Sequence, residues 1–321
     1  MSLVWVVANK EFRDAWRDKM VALLITCLGI LVIVSIVTAT QHIGVDIAQY
    51  NAALDQIKAS GQISKLVAPS FAPLRLLQNS VEYFEIIGAV LAIILGYTSI
   101  ARERANQTLP LMLTRQITKV QFIVGKLLGS TLILGVLIAS FVIMSVLSIW
   151  IIAGLTLNGL ELVKLLLTAV SSLVYLLIFY SLSALLTIHL RVPANALVVS
   201  LALWIVFVLV IPQIGDTMDV DNQVPGGFFA SLNLPKGSEK MVLANFAQYE
   251  IIRNGTEEAS PTKHYERASF ALLGVKQEFD GKSLGEVWNA KWQNFVVITT
   301  VAVVVTAVLL LEVHRNKMIW R

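Results

Sequence analysis

Cysteine is all but missing from this chain. Cys27 is the only one in 321 residues, so neither a disulfide nor a cysteine-based zinc site can form within one chain. It lies in an apolar run, where it reads as a small apolar residue packed among helices. Charge is sparse as well. Asp, Glu, Lys and Arg make up 14% of the residues against 56% apolar, and the mean hydropathy is +0.74. A soluble domain is excluded, because its surface cannot be dressed with so little charge. The net charge of +4 is too small to argue for nucleic acid, and bears instead on which side of a membrane each loop occupies.

Nucleotide and catalytic motifs are absent too. There is no G-x-x-x-x-G-K-[ST] phosphate cradle, since Gly125–Lys126 is followed by Leu127 and lacks the preceding glycine. Neither a dinucleotide G-x-G-x-x-G after a strand, nor H-E-x-x-H, nor G-x-S-x-G occurs. His42, His189, His264 and His314 are too scattered to suggest a shared metal site and read as interfacial or loop residues. No catalytic residues, metal site or bound cofactor are expected, and the chain is not expected to be an enzyme. A cleavable signal peptide is not expected either, because the first nineteen residues are charged throughout and the run that follows is long enough to span.

What is present is apolar and helical. Within 1–19, Val4, Val7, Ala8, Phe12, Ala15 and Trp16 share one helical face, and Lys10, Arg13, Asp14, Arg17 and Asp18 fill the other. This predicts an amphipathic helix lying at the membrane interface, with Phe12, Arg13 and Trp16 as its interfacial residues. The alternative is a plain basic flank that sets topology. Apolar runs then predict six transmembrane helices: Met20–Ala39, Tyr83–Ala101, a run within Leu127–Ile152, Val163–Leu190, Ala194–Ile214 and Phe295–Leu311. Ile43, Ile47, Tyr50, Leu54 and Ile57 repeat at helical intervals, so the first span is expected to continue as a stalk within 41–80. Pro193 suits the first turn of the fifth helix. Asn254-Gly255-Thr256 matches a glycosylation acceptor, but Asn-Gly reads better as a tight turn.

The organisation expected is therefore 1–19, 20–215 carrying the first five spans, 216–290 as a small, mainly helical extracytoplasmic domain, and 291–321 with the sixth span and tail. The fold class is an all-α polytopic membrane protein. Lys and Arg number thirteen in the N-terminal flank, the 102–126 loop, the 189–193 turn and the tail, against four in 41–80 and 154–164. The positive-inside rule places the thirteen in the cytoplasm, with both termini.

The most informative stretch is 102–126. Pro110 suits the first turn of a short helix in which Leu111, Met112 and Leu113 form an apolar knob, and Thr118 is placed to cap the next helix. Between arginines, such a knob fits another protein's groove; the alternative is an ordinary solvated loop. Here the chain resembles permease subunits of the ABC-2 type transporter family, which carry a run like E-x-x-x-G-T-L-x-L-L-[ST]-x-P-[IV]-[ST]-[RK]-x-x-[IVL]-x-x-K. With one residue inserted after Leu111 and another between Lys119 and Lys126, Glu103, Thr108, Leu109, Leu111, Thr114, Ile117, Thr118, Lys119 and Lys126 match, while Gln107, Pro110 and Gln116 depart from it. The enlarged outer segments are similar to permeases of the NosY and gliding-motility type.

The resemblance implies a permease subunit of an ATP-driven exporter in the inner (cytoplasmic) membrane. A second permease, identical or different, would complete the pathway, and separate ATPase subunits would bind ATP and Mg. It also implies that Glu103, Arg104, Thr108, Leu111, Leu113, Thr114, Arg115 and Thr118 couple to the ATPase. Near the outer end of the second span, Glu82 and Glu85 are candidates for an outer vestibule, and Glu161 and Lys164 for a pair at the external turn. The rival reading is a membrane anchor or assembly factor whose 41–80 and 216–290 segments bind an extracytoplasmic partner. An ATPase copurifying from the native membrane would favour the permease.

Overall fold

A computed structural model describes residues 3–17, 19–60, 72–105, 118–219, 242 and 244–315. Among these the chain is helical, with no strand: α1 Leu3–Arg17, α2 Met20–Ser60, α3 Pro73–Ala105, α4 Lys119–Ile152, α5 Gly159–His189, α6 Pro193–Thr217, α7 Ala247–Glu258, α8 Pro261–Leu273 and α9 Leu284–Arg315. Six of them, α2 to α6 and α9, are long and apolar enough to cross a membrane. Helices are the form expected, because a bilayer offers backbone groups no water and the helix pairs them within one segment.

α2 continues past the first span to Ser60, over the first part of the 41–80 segment; residues 61–71 lie outside the described residues. Its 41 residues reach roughly 60 Å at 1.5 Å per residue, about twice the thickness of a hydrocarbon core. α2 meets the bundle along a narrow stripe, Leu28, Val32 and Ile36, laid against α4. Cys27 lies off that stripe and is exposed, contrary to the expectation that it packs among helices.

α5 is the hub, packing against α3, α9, α8, α6 and α4. Small residues let it approach α3. A Cβ on Gly96 would stand 2.3 Å from the carbonyl oxygen of Tyr180, so only glycine allows that spacing. Ser183 Oγ then donates to the Ile93 carbonyl at 2.8 Å. Arg104, at the far end of α3, donates to the carbonyls of Thr187, Leu190 and Arg191 at 2.7, 2.9 and 2.8 Å. It thereby fixes the turn in which Pro193 starts α6.

The described part of 216–290 is helical and shares the core of the spans. α8 sits between α5 and α9. Tyr265 is 0% exposed and stacks on Tyr175 with ring centroids 4.4 Å apart. Its hydroxyl meets Ser172 Oγ at 2.8 Å. His264 is buried rather than interfacial, between Asn294 Oδ1 at 2.8 Å and the Glu258 carbonyl at 3.0 Å. Asn254–Gly255 makes no turn. Both residues lie inside α7, where Asn254 accepts from Arg267, and Arg267 and Arg253 both pair with Glu257. These ion pairs outweigh the local turn preference of the dipeptide.

Candidate functional site

The side chains that gather at the start of α4 do so because two glycines admit α1. A Cβ on Gly125 would lie 2.7 Å from Val7 Cβ and 2.9 Å from the Val4 carbonyl oxygen; one on Gly129 would lie 2.8 Å from the Ala8 carbonyl oxygen. The spacing G-x-x-x-G puts both on one face, one turn apart. α1 presses Val7 and Ala8 into that groove. Phe12 and Trp16 stack at 6.2 Å, with Trp16 and Arg13 exposed.

This docking carries Lys10 and Glu11 inward to Lys126 and Glu103. Lys10 Nζ donates to Glu103 Oε1 at 2.8 Å, and Lys126 Nζ stands 3.4 Å from the same oxygen while also contacting Glu11. Lys126 is 1% exposed and Glu103 5%. Two ammonium and two carboxylate groups make the cluster neutral, which is the condition for keeping charge away from water. Burial acts to lower the Lys10 pKa, and the hydrogen bond and charge of Glu103 outweigh it, so the ammonium is held above its ordinary value. The Lys126 ammonium also lies 5.0 Å from the centre of the Phe122 ring, within cation–π range.

The cluster therefore ties three elements together: the amphipathic helix α1, the end of α3 and the beginning of α4. Glu103 and Arg104 are engaged within the chain. Thr118 is the N-cap of α4, its hydroxyl accepting from the Gln121 N–H at 3.2 Å while Gln121 Oε1 accepts from the Thr118 N–H at 3.1 Å. Thr108, Leu111, Leu113, Thr114 and Arg115 lie outside the described residues. Lys10 and Glu11 were not singled out from the sequence. The signal available was Gly125 and Gly129 beside the buried lysine of the family run.

Glu82 and Glu85 lie at the other end of α3, with Glu85 about 27 Å from Glu103 for eighteen residues of helix. Both line a cavity of about 720 Å³ between α3, α6 and α8. Glu161 and Lys164 take separate partners. Glu161 completes the cap at Asn158, and Lys164 Nζ donates to the Lys282 carbonyl at 2.7 Å.

The fold defines an all-α multi-pass membrane protein in which the N-terminal helix α1 is joined to α3 and α4. Residues 5–316 match the family model described as ABC-2 family transporter protein, and the chain belongs to that family. It is a membrane permease component of an ABC transporter, a class of membrane components rather than nucleotide hydrolases. No curated protein matches the chain.

Proposed function

We propose that the chain is one permease of an ATP-driven exporter, paired with a second permease above separate ATPase subunits that bind ATP and Mg. The face carrying α1, the 102–126 segment and both termini lies in the cytoplasm on this reading, in the inner membrane. ATPase closure pushes on 102–126 and α1. The Glu103 cluster passes that displacement to α3 and α4 together.

The observation that carries the reading is the ion-pair cluster of Lys10, Glu11, Glu103 and Lys126, with Glu103 and Lys126 buried, beside the segment expected to dock. A displacement is transmitted only where the parts it joins do not slide independently. Separating these charges without water is expensive, so α1, α3 and α4 move as one piece. ATP binding then shifts the permease between two arrangements to the extent that the docked surface fits one of them better.

The test separates docking from transmission. Each leucine of the knob contributes roughly 1.5–3 kcal/mol on burial, so Leu111→Asp with Leu113→Asp should cut copurification of the ATPase tenfold or more. Glu103→Gln should retain the ATPase yet lose transport driven by hydrolysis. Full retention of ATPase and coupled transport in the double Asp variant would refute the docking role, and normal coupling in Glu103→Gln would refute transmission through the cluster.

A further inference from the structure

We propose that the cavity between α3, α6 and α8 binds an amphiphilic organic cation, a molecule with an ammonium group on an apolar body. Four carboxylates line it, from Glu82, Glu85, Asp216 and Glu266, against the single ammonium of Lys263. That ammonium is already engaged, 2.9 Å from Glu266 and 3.7 Å from Asp216. Glu82 accepts from Gln78 at 3.3 Å. Glu85 is different. It is 7% exposed, and its Oε2 has no hydrogen-bond partner among the described residues. Glu85 thus lines the cavity with a carboxylate of which one oxygen is satisfied by no described group.

The backbone around the cavity is shaped for the same purpose. α3 widens to a π-turn over Phe84–Gly88 and α6 over Ile205–Val210, and both segments contribute lining residues. Such bulges release carbonyls from the helix and recur at functional sites. In α6 the cause is visible: the i→i+5 pattern assigns the Phe207 carbonyl to residue 212, which is Pro212 and has no N–H. Ser260 Oγ donates to that carbonyl instead. In α3 the Glu85 carbonyl accepts from Tyr175 at 3.0 Å. Both distortions are thus held by hydroxyls from neighbouring elements, and the Glu85 carboxylate is left for something else.

The chemistry of the walls narrows the ligand. Among the described residues no group of acidic or histidine side chains is arranged to hold a metal ion. The cavity, about 720 Å³, falls within the ~300–1,000 Å³ range of small-molecule sites. Ile86, Val208, Val210, Pro212 and Ile214 supply apolar lining alongside the carboxylates. An N–H donor for Glu85 joined to an apolar body satisfies both surfaces at once.

Dansylcadaverine, a primary amine on an apolar fluorophore, is the probe, and dansylamide is its counterpart without the amine. The full chain in phosphatidylcholine nanodiscs should give a saturable fluorescence rise with dansylcadaverine above that of empty nanodiscs, and bind dansylamide at least tenfold more weakly. Glu85→Gln should weaken dansylcadaverine at least tenfold. Lys263→Gln, which releases two carboxylates, should tighten it severalfold, a sign opposite to that of general damage. Absence of saturable binding, equal binding of dansylamide, or weaker binding by Lys263→Gln would each overturn the proposal. The measurement needs no ATPase, so its failure leaves the coupling reading standing, and failure of coupling leaves this one.

Discussion

Lys126 holds the two carboxylates of the α1 junction together, and removing its ammonium tests the junction most directly. Lys126→Met keeps an apolar stem of similar length but strips the contact with Glu11 and the one at 3.4 Å with Glu103. Removing one partner of a buried pair costs about 3–5 kcal/mol when the other charge stays behind without compensation; Glu103 keeps Lys10, so the charge left without its partner is that of Glu11 and the cost should lie toward the lower end. Glu103→Gln should cost less, about 1.5–3 kcal/mol for a lost charged hydrogen bond. Lys126 keeps Glu11 in that variant, and Lys10, whose side chain is 44% exposed, can turn to water. Removing both leaves Lys10 and Glu11, a neutral remainder. The double variant should therefore be more stable than the sum of the singles predicts by at least about 1 kcal/mol, within the range measured for contacting residues. The assay is unfolding in mixed micelles of dodecyl sulfate and dodecyl maltoside, followed by tryptophan fluorescence. Additivity within about 0.5 kcal/mol would mean that the cluster is not a unit, and the transmission argument would fall with it.

Gly125→Ile should push α1 off α4, because the added Cβ alone would stand 2.7 Å from Val7 Cβ. Faster protease cleavage within 3–17 measures this, and unchanged cleavage would argue against the close approach. Tyr265→Phe removes only the hydroxyl that meets Ser172 at 2.8 Å and should cost about 1 kcal/mol. Tyr265→Ala, which also empties the stacking site on Tyr175, should cost about 3–5 kcal/mol, and a cost equal to that of Tyr265→Phe would place α8 outside the core. In a Cys27→Ala background, cysteines at Gln56 and Gly255 should react with an impermeant thiol reagent in whole cells and one at Asn106 should not. The reverse pattern would invert the proposed orientation.

What the sequence determined by itself is what depends on sums along the chain. Whether a run of twenty residues prefers lipid is a local total of transfer free energies, so Leu127–Ile152 and Val163–Leu190 are legible as spans without any partner being known. The helical repeat from Ile43 to Ile57, the cap at Thr118 and the start at Pro193 are equally local, each depending on neighbours within a few positions. The tertiary structure decided which charges are hidden and from whom. Lys10 reads as the polar face of an amphipathic helix. It pairs with the buried Glu103 only because Gly125 and Gly129, more than a hundred positions away, let α1 lie close. Glu82 and Glu85 read alike, and only the packing of α6 and α8 leaves Glu85 buried with an oxygen that has no partner among the described residues. The polar residues of Pro261–Leu273 suggest an outer surface, yet Tyr265 is buried because Tyr175 and Ser172 supply a ring to stack on and a hydroxyl to bond. Hydropathy fixes which segments enter the bilayer; the cost of an unpaired polar group depends on partners that only the packed bundle brings within 3 Å.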